Sequence, residues 1–376
     1  MKITIDTSTN SRTIELKKPV CTHQHVRTEA TLELVVPMIA RRFRAAIIMP
    51  NLKPPVTTFT HLEQYKEIIH RANTTGHLFT PMMTLYLTDN LNPGEVDLCG
   101  HHAVKYYPRG LTTNSADGVE NPQALWSKGS KPHQVLRLLA STGKVLILHA
   151  ADGFAREGVI VRGTQYHADE ELDPYDQEPH FMRETLPRII DAHPELKIEV
   201  AHLSTKEGAE FMQKNGGKRL GCSITCHHLL NDRRDVMRGG FRPHLDWRPV
   251  IQPKDNTQAL QELCFSGHPF VWLGMDSAPH PRKVKEAACC ATGVLTAHAG
   301  IELYAEAFET FGALDQRFEN FASNNAANFY GLADTDTTIT LVNKPWKVRG
   351  SYLSGNPDEE IIPYRLGEEV LWRLVE

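Results

Sequence analysis

Apolar residues in this chain come in short unbroken runs, each ending on or near a polar or ionisable residue. The runs span residues 45–51, 80–86, 103–108, 145–149, 198–202, 220–225 and 270–276, and an eighth strand-like segment precedes His23. Near-continuous apolarity without alternation marks a parallel strand covered on both faces. Between the runs lie segments of helical period, such as 61–70 and 134–140, so strand and helix alternate along the chain. Eight such units predict an α/β fold, a (β/α)8 TIM barrel. A doubly wound open sheet uses the same alternation, but no glycine-rich phosphate loop follows the first strand. The expected organisation is one barrel domain over residues 1–376, with short N- and C-terminal extensions packing on it. The first of these begins with Met-Lys-Ile-Thr-Ile-Asp, which alternates like a strand.

Composition narrows the function classes. The 376 residues are 41% hydrophobic and 23% charged, ordinary values for a soluble globular enzyme. A formal net charge of -4 gives no electrostatic reason to expect nucleic acid or an anionic membrane as a partner. No apolar run approaches a membrane span, and the N-terminus lacks the apolar core of a signal peptide, so the expected compartment is the cytoplasm. Seven cysteines (Cys21, Cys99, Cys222, Cys226, Cys264, Cys289, Cys290) form an odd, scattered set without a CxxC pair. That argues against a disulfide framework or a four-cysteine zinc site, and for reduced, mostly buried thiols.

In a barrel, functional residues gather at the C-terminal ends of the strands. His23, His25, Asn51, Lys105, His149, His202 and Asp276 all fall at or near such ends. His23 and His25 are two apart on an extended segment, so both imidazoles face one way and can reach one metal, and Arg27 continues the row. Each residue has a bland alternative. His149 and His202 can be hydrogen-bonded core histidines, Ser204 and Thr205 can cap the next helix, and Asp276 can be an N-cap. Lys105 is costly to bury as an ammonium ion. One arrangement accounts for all of them: four histidines and an aspartate hold two divalent metals, and Lys105, carboxylated by CO2, bridges the pair as an anion. The mixed imidazole and carboxylate set suits zinc.

With these residues in view, the chain resembles the amidohydrolase superfamily and, within it, the bacterial-type (class II) dihydroorotases. The resemblance covers nearly the whole chain. Its most specific pieces are Met49-Pro-Asn-Leu-Lys-Pro-Pro-Val-Thr-Thr58, Lys105-Tyr-Tyr-Pro with Thr112-Thr-Asn-Ser115, Val200-Ala-His-Leu-Ser-Thr-Lys206, Gly240-Phe-Arg-Pro-His244 and Leu273-Gly-Met-Asp-Ser-Ala-Pro-His280. It implies reversible cyclisation of N-carbamoyl-L-aspartate to L-dihydroorotate in pyrimidine biosynthesis. By the same resemblance His23, His25 and Asp276 bind the more buried metal, His149 and His202 bind the other, and carboxylated Lys105 bridges them. Arg27, Asn51 and His280 match positions that hold the substrate carboxylate, Thr112 and Thr113 lie in a segment that closes over substrate, and Arg248 and Thr292 align with further substrate contacts. A homodimer is what the resemblance and the prevalence of twofold assemblies suggest.

The chemistry also follows from the residues. Two metals about 3.5 to 4 Å apart lower the pKa of a bridging water and polarise an unreactive amide carbonyl. Asp276 can take the water's proton and return it to the leaving nitrogen. Arg27 offers a two-pronged donor to a carboxylate, and Asn51 completes the clamp. Residues 109–118, rich in turn formers, read by themselves as an ordinary exposed βα connection; the resemblance, and a start at the mouth of the site directly after Lys105's strand, make a mobile lid the expectation. Cys21 stands where the family usually has aspartate and Gln24 where it has leucine, which bears on support of the histidines. The segment 152–180 is longer than the family pattern leads one to expect. Two other readings stay open: a hydantoin- or allantoin-type cyclic-amide hydrolase, against which an unpaired Arg27 would count, and a non-catalytic scaffold.

Overall fold

A computed structural model describes residues 1–6, 11–98, 102–156, 158–353 and 355–375. Each predicted run coincides with a strand to within a few residues: β1 (Val20–Gln24), β2 (Ala45–Ile48), β3 (Thr80–Leu87), β4 (Ala103–Tyr106), β5 (Val145–Leu148), β6 (Lys197–Val200), β7 (Leu220–Ile224) and β8 (Val271–Leu273). They pair in chain order as one parallel sheet. The sheet closes between its first and last members. Asp276 N donates to His23 O at 3.0 Å, and His25 N donates to Ser277 O at 3.1 Å. A doubly wound sheet has two free edges; this one is stitched shut, so the fold is the (β/α)8 barrel.

The helices around it follow their sequence periods. In Phe59–Ala72 the buried residues Leu62, Tyr65 and Ile69 make one stripe, and the Thr58 hydroxyl caps the helix by accepting from His61 N. Lys131–Thr142 starts on the Ser130 cap and ends at Gly143, whose φ of 68° suits the left-handed stop. Inside the barrel, Val20, Ala45, Ile47, Ala103, Val145 and Ile147 pack with Trp272 and Phe329 into a separate apolar cluster. Trp272 occupies the space a side chain at Gly221 would need, since a Cβ there would sit 2.0 Å from the indole.

The termini build a four-stranded antiparallel sheet from Lys2–Asp6, Ser11–Lys17, Thr338–Lys347 and Glu369–Leu374. Its inner positions Ile14, Leu16, Leu341, Val370 and Trp372 are buried in the same apolar cluster as the helices. Four of the cysteines, Cys21, Cys222, Cys226 and Cys264, are buried, whereas Cys289 is exposed and Cys290 half-buried. Cys99 lies outside the described residues. None of these six is in a disulfide.

Candidate metal centre and active site

At the barrel's closure His23, on β1, and His25, just beyond it, turn the same way, as the i, i+2 rule requires. Their Nε2 atoms lie 3.3 and 3.1 Å from Asp276 Oδ1 and 3.3 Å from each other, so three donors surround one point. A second pair abuts the first: His149 Nδ1 and His202 Nε2 are 3.2 Å apart, and the His202 and His23 ring centroids are separated by 4.9 Å. All five residues are buried.

Lys105 lies beneath them. Its side chain is fully buried, and Nζ has no hydrogen-bond partner, lying 5.0 Å from the centre of the Tyr107 ring. Burial pulls the amine down to about 7, against the opposing pull of Asp276 and Glu199. Burial, followed by the charge of Lys105 or a neighbouring imidazole, holds His23, His149 and His202 well below the usual histidine range. His25 is lowered as well, by burial and then by the Arg27 charge, so all four imidazoles are neutral, with lone pairs to give. Four neutral imidazoles, one carboxylate and an orphaned amine able to take up CO2 fit a pair of divalent cations better than they fit a core of satisfied polar groups.

Three of the functional positions carry backbone strain. Arg27, His202 and Asp276 have φ of 58°, 44° and 44°, the left-handed region that non-glycine residues avoid. The bland alternatives divide. Thr205 does cap Lys206–Asn215, accepting from Gly208 N, yet His202 still faces the site. Asp276 caps no helix, and the Ser277 hydroxyl instead accepts from Thr296 N and Ala297 N.

Arg27, Asn51, Thr112, Thr113, Arg248 and Thr292 line one cavity with the histidines and Asp276. Arg27 is directed by His280 Nε2 at 3.1 Å, by His25 Nδ1 at 3.4 Å and by Pro279 O at 3.4 Å, and among the described residues no carboxylate pairs with it. His280 thus stands behind the guanidinium instead of lining the cavity. Burial and the Arg27 charge hold its imidazole neutral. Asn51 donates through Nδ2 to Thr113 O at 3.0 Å, while its Oδ1 is buried without a partner. The Thr113 hydroxyl meets Thr292 Oγ1 at 2.8 Å, so the 109–118 loop is latched across the cavity mouth. Arg248 is held by Asp246 Oδ1 at 2.6 Å.

The sequence reading missed Tyr107, which lines the cavity two residues after Lys105; the strand period that paired His23 with His25 applies to it equally. It also missed Glu178. This buried carboxylate accepts from Ser204 N and Thr205 N at 2.9 to 3.1 Å and thereby fixes the turn after His202. Glu178 comes from the long segment, which folds as a hairpin (Val159–Val161 with Thr164–Tyr166) over its own small cluster of Ala155, Val161, Tyr166 and Leu172. Its ends are tied together where Asp152 accepts from His180 Nδ1 at 2.8 Å and from the Thr185 hydroxyl at 2.6 Å. Cys21 offers no carboxylate. Burial pushes its thiol up to about 12, and it donates to His23 O while accepting from Met275 N.

No family model matches the chain. Over 368 residues it is 42% identical to the dihydroorotase of Aromatoleum aromaticum, covering 97% of this chain and 100% of that protein. The chain belongs to the dihydroorotase family. Two solved dihydroorotases share its fold across almost their entire lengths. The Campylobacter jejuni structure superposes with a TM-score of 0.81 at 30% identity, covering 97% of this chain and 98% of that one. The Saccharomyces cerevisiae structure, in complex with 5-fluoroorotic acid, gives 0.85 at 27% identity, covering 96% and 98%. Dihydroorotase membership implies divalent metal use, and His23, His25 and Asp276 form a group able to hold such an ion. Among the described residues no helix is long and apolar enough to cross a membrane.

Proposed function

We propose that this chain is a class II dihydroorotase that interconverts N-carbamoyl-L-aspartate and L-dihydroorotate plus water at the His23–Asp276 site. The observation that carries this reading is Arg27, a half-buried guanidinium that has no carboxylate partner among the described residues and opens on the same cavity as the metal-ligand set. A substrate carboxylate would supply the missing anion through two parallel hydrogen bonds. Asn51 Nδ2, which spends one hydrogen on Thr113 O, has a second to donate to that carboxylate. A neutral hydantoin would leave Arg27 unpaired, which favours the acidic ring.

His23, His25 and Asp276 would hold one divalent cation, His149 and His202 the other, with carboxylated Lys105 between them; zinc suits this donor set. When bound, the ions activate water and polarise the amide carbonyl. Asp276 moves the proton. In ring opening its carboxylate takes a proton from the attacking water and delivers it to the leaving ring nitrogen, and ring closure reverses the transfer. The two threonines of the loop close over the substrate, and Thr292 serves as the catch for Thr113. Arg248, clamped by Asp246, presents its remaining donors to the cavity. A homodimer is the assembly that family membership and the prevalence of twofold assemblies favour, and a cytoplasmic setting is the one that the sequence's lack of a signal-like apolar core favours.

The test is an assay of purified, metal-analysed protein with dihydroorotate, carbamoyl aspartate, hydantoin and allantoin. Turnover of the first two in opposite directions supports the proposal. Turnover of a neutral ring with none of dihydroorotate would overturn it.

A further inference from the structure

One buried carboxyl of the barrel interior has no part in the reaction as described above. Glu199, in the middle of β6, is completely buried. The strand register places it in one layer with Lys105: Lys105 pairs with Ile147 of β5, and Ile147 with Glu199. Each carboxyl oxygen accepts from a hydroxyl. Thr22, the residue before His23, donates to Oε1 at 2.7 Å, and Tyr330 donates to Oε2 at 2.5 Å. The carboxyl therefore ties β1, at the residue before His23, to β6 and to the helix Asn325–Tyr330.

A carboxyl without a function is an expensive thing to keep in a barrel whose interior also holds Val20, Ile47, Val145 and Trp272. Two divalent cations bring four positive charges. The ligand set assigned above returns two, from Asp276 and carboxylated Lys105, because the histidines are neutral. Burial raises the Glu199 carboxyl, and the hydroxyl bonds from Tyr330 and Thr22 oppose that, as two cations bound above it would; ionised, it adds a third negative charge on the side away from solvent, where a fixed charge is weakly screened. Position 21 offers a thiol and no carboxylate.

We propose that Glu199 is a positioning residue of the metal centre, a buried counter-charge that also fixes β1, and through Thr22 the histidine pair, against β6. The inference rests on the metal reading above, and its test separates the two. Purified wild type and Glu199→Gln are loaded with zinc and mixed with a chromophoric chelator, and metal release is timed. Gln keeps the size and can still accept a hydroxyl bond, but removes the charge. Release should be at least about tenfold faster from the variant, the usual scale for losing a partner behind metal ligands. Tyr330→Phe, which removes one hydrogen bond and leaves the charge, should change release by no more than about threefold.

Equal release from wild type and Glu199→Gln would overturn the inference. A wild type that holds fewer than two zinc ions would instead overturn the metal reading itself. If Glu199→Gln is insoluble, the comparison passes to the double variant Thr22→Val/Tyr330→Phe, which strips both donors from the carboxyl. Faster release there supports the proposal, and release at the wild-type rate ends it.

Discussion

Lys105→Met should change sign in its effect on stability according to whether metal is bound. Methionine is close to lysine in length and volume, so packing changes little. In metal-free, CO2-free protein, Lys105 is a fully buried amine with its pKa pulled from 10.5 to about 7. The folded state thus binds fewer protons than the unfolded state between pH 10.5 and 7, and stability falls as pH drops through that window. At pH 7 the mismatch amounts to about 4 kcal/mol, at pH 9 to about 2, and below pH 7 it levels off near 5. Removing the amine should recover most of that penalty at pH 7, which for a chain of this length is roughly 5 °C in Tm. With metal present the order reverses. Wild type gains about 4 kcal/mol per site at a free metal concentration a thousand times Kd, and a variant without the bridging group forfeits much of it. The assay is urea or thermal unfolding of chelator-stripped and zinc-loaded samples, in CO2-free buffer for the former, at pH 7 and pH 9. A stripped Lys105→Met protein no more stable than stripped wild type, or an advantage that grows toward pH 9, would refute the argument that a desolvated amine is waiting for a partner.

Other outcomes follow from the same geometry. Arg27→Ala should lose roughly 2 to 5 kcal/mol of transition-state binding in kcat/KM while two metals remain by elemental analysis; loss of metal would make Arg27 part of the metal centre. Asp276→Asn should abolish turnover in both directions, and in wild type ring closure should prefer low pH and ring opening high pH, because one needs the protonated and the other the ionised carboxyl; parallel profiles would name a different shuttle. Thr113→Val removes the latch to Thr292, a loss of about 1 kcal/mol, so hydrogen exchange over residues 109–118 should quicken without change in metal content; unchanged exchange would show that the latch does not govern the loop.

Much of this site was legible in the sequence because a parallel barrel strand writes itself as an apolar run with its chemistry at the end. The seven runs and the segment before His23 marked the eight strands, and His23, His25, Asn51, His149, His202 and Asp276 at their ends line one cavity. His23 and His25 were readable as a pair because strand geometry alone puts them on one side. What was not legible depends on neighbours distant in sequence. Glu199 interrupts the run Ile198-Glu-Val200, and nothing local says whether such a residue points into the barrel or out to the helices. Glu178 is unremarkable until the hairpin at 159–166 brings it under the turn after His202. His280 aligned with carboxylate-holding positions, yet its neighbour is the guanidinium itself. Cys289 looks like any buried thiol in composition, and only the fold leaves it exposed.

The strained residues connect these levels. A glycine at position 27, 202 or 276 would relieve a left-handed φ that costs on the order of 1 kcal/mol or more, but it would also remove a guanidinium, an imidazole or a carboxylate. The strain persists because the surrounding bonds leave the backbone no alternative. Asp276 N is held by His23 O, His25 N by Ser277 O, and His202 N by the Ser223 hydroxyl at 3.1 Å. Two of those three bonds are the ones that close the barrel. The closure of β1 on β8 is therefore also what forces His23, His25 and Asp276 into one cluster. A change that loosened it, even one far from any ligand, would let the backbone relax and move the donors apart. That makes the junction of β1 with the end of β8, where pairing is a single isolated bridge between Gln24 and Ser277, the place on which the ligand geometry depends most directly.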